Sequence, residues 1–169
     1  ANRDALQGRL KVKIPGHETN RVWVEEGAEI ESDVEINPPA LIGAKTRLCK
    51  ESMISDFSII GDGVTIDGRA SIKRSVVWNN TLIGSKADLV GCLIGEKSHI
   101  RDGATILEGA VVGDECVVGR GATIKSGMRI WPGKMIEAGA IVNMDLKWGM
   151  RWMTSLFGSQ GISGLANIE

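Results

Sequence analysis

An aliphatic residue returns at almost every sixth position from Val24 to Val142. The register runs Val24, Ile30, Ile36, Ile42, Leu48, Ile54, Ile60, Ile66 and Ile72, shifts to Val77, Ile83 and Leu89, and resumes from Ile94 to Val142. All twenty-one of these positions hold Val, Ile or Leu. Four residues after each, a small residue is usual, as at Thr46, Ser52, Ala70, Thr81, Ala104 and Ala122. Glycine often follows the aliphatic residue directly, as at Gly43, Gly61, Gly84, Gly95, Gly113 and Gly119.

The physical unit behind this spacing is a short strand that offers one branched side chain to a narrow interior. A tight turn follows, with a small residue under the corner and a flexible or polar one to change direction. Repetition of six residues is a signature of a parallel β-helix. Three units make a triangular coil of about eighteen residues, and coils stack at roughly 4.8 Å. The chain therefore predicts an all-β parallel β-helix of about seven coils. Two steps, Ile72 to Val77 and Leu89 to Ile94, are five residues long. Counting units in threes puts both slips on one face in adjacent coils, which predicts Ser75 near Cys92 and Val76 near Leu93.

Side chains alternate along a strand, so the residue before each inward aliphatic points outward. On one face these residues are Leu41, Ile59, Val76, Leu93 and Val111, an apolar column beside Gly43, Gly61, Trp78, Gly95 and Gly113. An exposed apolar strip of this length marks a contact surface. The candidate interface is Leu41, Ile59, Val76, Trp78, Leu93 and Val111, with Trp78 as anchor. The expected partner is another copy of the helix, giving a homo-oligomer, or a domain of the same protein outside this chain. The competing reading covers this face with the chain's own N-terminal strand or C-terminal segment.

The ends break the period. Residues 1–8, ANRDALQG, read as the end of a helix closed by glycine, either the stub of a preceding domain or a disordered tail. Leu10, Val12 and Ile14 alternate with Arg9, Lys11 and Lys13 as a short strand halted at Pro15 and Gly16, and His17 to Arg21 read as a polar turn. Beyond Val142, Leu146, Trp148, Met150, Trp152, Met153, Leu156 and Phe157 fit an apolar helical cap over the last coil, seated by Trp131, Trp148 and Trp152. Lys134, at a corner usually given to a small residue, signals a terminal coil whose turn opens outward.

The 169 residues carry a net charge of −1 with a pI near 6.2, which argues against nucleic acid or a membrane surface as partner. Cys49, Cys92 and Cys116 form no CxxC pair, which fits a reducing, cytoplasmic setting. No apolar run is long enough to span a bilayer.

The AxxDAL helix end, the SVVWNNTLIG variant at Ser75 to Gly84 and RIWPGKMIEAGAIV at Arg129 to Val142 resemble the C-terminal half of mannose-1-phosphate guanylyltransferases and related sugar-phosphate nucleotidyltransferases. LFGSQGISGLAN, from Leu156, resembles the opening motif of phosphohexomutases, with Ser159, Gln160 and Ser163 departing from its usual residues. The resemblance implies left-handed coiling. It also implies three parts: a linker (1–23) from an N-terminal catalytic domain outside this chain, the left-handed β-helix (24–142), and a helical cap (143–169) leading into a phosphomannomutase-like domain. The family's catalysis uses a glycine-rich phosphate loop and acidic residues holding Mg²⁺. Neither occurs here, so the expectation is no catalytic residue, cofactor or metal within this chain, and Mg²⁺ only in the catalytic domain.

Hexapeptide helices also resemble coenzyme A-dependent acyltransferases and zinc carbonic anhydrases, and a free-standing acyltransferase is the alternative. Acyl transfer there uses a His base beside a protruding loop. This chain has only His17 and His99, and the register from Val24 to Val142, with its two shortened steps, admits no inserted loop. A carbonic anhydrase centre needs three His ligands, which two cannot supply. Asp62, Asp102, Asp114 and Glu115 read as turn formers.

Overall fold

A computed structural model describes residues 2–7, 9 and 13–147. From Val22 onward the strands recur in threes and form three sheets around one interior. Face A is eight-stranded: His17–Thr19, Val22–Val24, Ala40–Ile42, Ser58–Ile60, Val76–Val77, Leu93–Ile94, Val111–Val112 and Arg129–Ile130. Face B runs in seven strands from Glu29–Ile30 to Met135–Ile136, and face C in seven from Glu35–Ile36 to Ile141–Val142. Every strand after the first pairs in parallel with the strand one coil on, giving a prism of seven coils.

The aliphatic period becomes three interior files. Val77 pairs with Ile60 on one side and Ile94 on the other, and all three are at most 1% exposed. The small corner residues are buried beside them. Their hydroxyls satisfy carbonyls of the next coil: Thr46 Oγ1 donates to Gly61 O at 2.7 Å, and Thr81 Oγ1 to Gly95 O at 2.9 Å. A buried carbonyl left without a donor would be costly, so the preference for Ser and Thr here is a hydrogen-bonding one.

Corners turn through the left-handed region three residues after the inward aliphatic, as at Lys45, Gly63, Asn80, Lys97 and Glu115. The two short steps both fall on the corner from face C to face A. One left-handed residue, Arg74 or Gly91, turns it there, where the coil before uses two, Asp56 and Phe57. Ser75 accordingly lies on Cys92, whose amide it accepts at 3.2 Å, and Val76 pairs with Leu93.

The ends depart from expectation. Asn2–Leu6 is helical, as the sequence suggests. Residues 10–12 lie outside the described residues, and 13–15 are not strand. His17 to Arg21 is not a polar turn throughout. His17–Thr19 is a strand antiparallel to Val22–Val24, and only Asn20 and Arg21, both left-handed, make the loop. That two-residue loop has the positive φ angles that match the twist of a hairpin. Ile30 is 43% exposed, because the first coil has no coil beneath it. Leu146 is not helical: it bridges Ile130, and its carbonyl accepts the Trp131 amide, so it extends face A by one more rung. The expected cap from Trp148 onward lies outside the described residues.

Candidate functional site

Strand pairing settles which side chains share the outer surface of face A. Trp23 is registered with Leu41, Leu41 with Ile59, Ile59 with Val76, Val76 with Leu93, Leu93 with Val111, and Val111 with Arg129. The hairpin adds Glu18 opposite Trp23. Directly opposed residues point to the same side of a sheet. The column is therefore six apolar residues long, with Glu18 at one end and Arg129 at the other, where Asp145 follows on the last rung and its Oδ1 accepts the Arg129 amide at 2.9 Å.

The five residues expected in this column, Leu41, Ile59, Val76, Leu93 and Val111, stand in it. Leu93 and Val111 are 36% and 38% exposed, and Leu41, Ile59 and Val76 are half-buried by one another. Trp78 is 48% exposed in the neighbouring column, where most other positions are glycine. Between Trp78 and Pro132 a shallow depression of about 340 Å³ is floored by Leu93, Gly95, Val111 and Gly113. The hairpin strand extends the sheet at its edge and does not cover this surface; the C-terminal segment of the competing reading lies, from Trp148 onward, outside the described residues. Trp131, expected to seat a C-terminal cap that lies outside the described residues, is 48% exposed and follows Ile130 at the far end of the column that holds Trp78.

Trp23, Glu18 and Arg129 were not among the expected interface residues. The signal was present, since the same register continued one unit toward each end reaches Trp23 and Arg129. Glu18 was hidden by reading its strand as a turn.

The glycines beside the stripe have a steric cause. Asp62 Oδ1 accepts the Ala44 amide at 2.9 Å, Asn79 Oδ1 accepts that of Asp62 at 2.9 Å, and Asp114 Oδ1 accepts that of Glu96 at 2.8 Å. Each carboxylate or amide oxygen lies against the Cα of the glycine one coil back, Gly43, Gly61 or Gly95, where a Cβ would collide. Trp78 escapes the rule because the corresponding residue one coil on is Glu96, not Asp or Asn. Asp62 and Asp114 are thus rungs of a ladder between coils and not only turn formers. Asp102 does the same on the next corner, accepting the Ser85 amide at 3.2 Å over Gly84.

The two histidines are not brought together. His17 is on the hairpin strand of face A. His99 is half-buried on face B in a depression of about 290 Å³ with Thr65, Asp67, Leu82, Arg101, Asp102 and Arg120. There Arg120 pairs with Asp102 at 3.1 Å. Among the described residues no group of three His, Cys, Asp or Glu is placed to hold a metal ion, and no helix is long and apolar enough to cross a membrane. The cysteines are free; burial pushes the Cys92 thiol up to about 11 and raises that of Cys116.

A family model described as the EIF2B subunit epsilon LbH domain matches residues 19–124. LbH abbreviates left-handed β-helix, and this gives the hand of the coils. Among solved structures, a Bacillus cereus protein described as an acetyltransferase is 20% identical with a TM-score of 0.53, over 72% of this chain and 79% of that one. The UDP-N-acetylglucosamine acyltransferase of Campylobacter jejuni is 20% identical with a TM-score of 0.54, over 76% of this chain and 68% of its own. At such identity these two share the fold. No curated protein matches the chain.

Proposed function

Since the chain belongs to the family of the EIF2B subunit epsilon LbH domain, matched over residues 19–124, we propose that it is the non-catalytic assembly and spacing module of a sugar-phosphate nucleotidyltransferase. The parent reaction would join an NTP and a sugar 1-phosphate into a nucleotide sugar of the GDP-mannose type. Its Mg²⁺ and phosphate loop would belong to a separate catalytic domain. The observation that carries this reading is face A: seven coils without an inserted loop, and an apolar outer column open to solvent. A rigid prism with one adhesive side holds other parts at fixed separation. The resemblance of RIWPGKMIEAGAIV to the guanylyltransferases supports the narrower assignment.

The second reading, a coenzyme A-dependent acyltransferase, is favoured by the fold shared with acyltransferases and by His99 in its depression. The two readings separate in one set of measurements. The module predicts self-association abolished by Leu93→Glu, with no coenzyme A binding and no acyl turnover. Saturable coenzyme A binding lost in His99→Ala, with self-association indifferent to Leu93→Glu, would establish the acyltransferase instead.

A further inference from the structure

Face B carries a recess that assembly through face A leaves unused. His99 and Arg101 flank the inward Ile100, so both side chains leave the strand on its outer side. Strand pairing stacks Thr65, Leu82 and His99 in one outer column. The amides of Asp67, Gly84 and Arg101 donate to Ile83 O, Ile100 O and Val118 O, which sets these three residues in the column beside it. Gly84 is held bare there, because a Cβ on it would meet Asp102 N at 2.6 Å and Arg101 C at 2.8 Å. The second column therefore has a gap between Asp67 and Arg101, two coil steps or about 9.6 Å apart. This gap forms the depression of about 290 Å³.

The two ends of the depression differ chemically. Asp67 and Thr65 stand at one end and can accept hydrogen bonds from hydroxyl groups. Arg101, Arg120 and His99 stand at the other and can donate. Asp102 is also at that end, but Arg120 pairs with it at 3.1 Å and its Oδ1 accepts the Ser85 amide at 3.2 Å. The Arg101 charge is left over. Among the described residues its guanidinium has no ion pair or hydrogen bond, and neither His99 nor Thr65 has a side-chain partner. Asp67 meets only the Cys49 thiol, at 4.0 Å. Polar groups that line one recess without satisfying one another mark a small-molecule site.

We infer that this depression binds a phosphorylated monosaccharide. The phosphate takes the Arg101 end, where guanidinium groups match its oxygens and its charge. The sugar hydroxyls donate to Asp67 and Thr65, and a C–H face of the ring rests on Leu82, which is 39% exposed. A bare phosphate would leave Asp67 and Leu82 unused, and an apolar ligand would strip water from both polar ends without replacing it. Size sets the upper limit. About 290 Å³ lies at the foot of the range of about 300–1,000 Å³ for small-molecule sites, so one ring and one phosphate fill it and a nucleotide sugar does not. The site is on face B and stands whether or not face A associates.

Isothermal titration calorimetry on the full chain tests it with glucose 1-phosphate, glucose 6-phosphate, glucose, inorganic phosphate and coenzyme A. One or both hexose phosphates should bind saturably, at least about tenfold tighter than glucose or inorganic phosphate. Arg101→Leu should weaken hexose phosphate binding about tenfold or more. Asp67→Leu should weaken it about fivefold and leave inorganic phosphate no weaker, since it removes a hydroxyl acceptor and a negative charge. Both side chains are exposed, so both variants should keep the wild-type melting temperature. No saturation by either hexose phosphate at about 10 mM, or binding indifferent to Arg101→Leu, overturns the site. Equal binding of inorganic phosphate and hexose phosphate, both indifferent to Asp67→Leu, reduces it to a bare anion contact and overturns the sugar assignment. Coenzyme A binding without hexose phosphate binding overturns it in favour of the acyltransferase.

Discussion

Asp114 Oδ1 sits where a Cβ on Gly95 would have to go. The same oxygen accepts the Glu96 amide at 2.8 Å, so hydrogen bond and glycine are one device, joining a coil to the next while keeping the corner thin. The added methyl of Gly95→Ala would also meet backbone, Gly113 C and Asp114 N at 2.6 Å each, so a change of the Asp114 rotamer does not relieve it. The expected cost is about 2–3 kcal/mol in chemical denaturation. Gly103→Ala is the control: its φ is +65° and nothing lies within 4 Å, so only left-handed strain remains, about 1 kcal/mol.

Interior positions differ according to whether a coil lies on both sides. Ile83 is 1% exposed and Ile30 is 43% exposed, although the sequence pattern treats them alike. Ile83→Ala should cost about 3 kcal/mol, and Ile30→Ala under about 1.5 kcal/mol. Paired denaturation curves check the difference.

Cys92 supplies a pH dependence of defined sign. Desolvation raises its thiol from 9.0 to about 11. The unfolded chain therefore releases this proton first as pH rises, and the native state loses stability between about pH 9 and 11. A two-unit shift corresponds to about 3 kcal/mol. Cys92→Ala should remove that alkaline loss, read as the change in denaturation midpoint between pH 8 and about pH 11 relative to wild type.

Trp78 is the exposed anchor of the stripe, so its truncation should act on association and leave the fold alone. Trp78→Ala should weaken self-association about thirtyfold or more, equivalent to about 2 kcal/mol. Its melting temperature, measured at concentrations where both proteins are monomeric, should match wild type.

The prism was legible from Val24 to Val142 because one aliphatic residue per six has to enter a narrow interior, and the slips before Val77 and Ile94, counted in threes, fall on the one corner where the strand pairing places them. The outward stripe was legible for the same reason, through alternation. What escaped depended on contacts between coils or on the ends. The ladder from Asp62 and Asp114 to the preceding coil joins residues eighteen or nineteen positions apart from the amides and glycines they serve, and within one repeat each Asp looks like an ordinary turn residue. His17–Thr19 is polar and entirely exposed, so no hydrophobic pattern announced a strand. Leu146 was grouped with the apolar residues after it, whereas the open edge at Ile130 recruits it as a rung.

Face A as the assembly surface is tested most directly by sedimentation equilibrium of the chain beside Leu93→Glu, which sets a carboxylate in the middle of the exposed apolar column. The wild-type chain should self-associate, and Leu93→Glu should be monomeric at the same concentration with the wild-type melting temperature. A Leu93→Glu chain that associates as tightly as wild type would contradict the account.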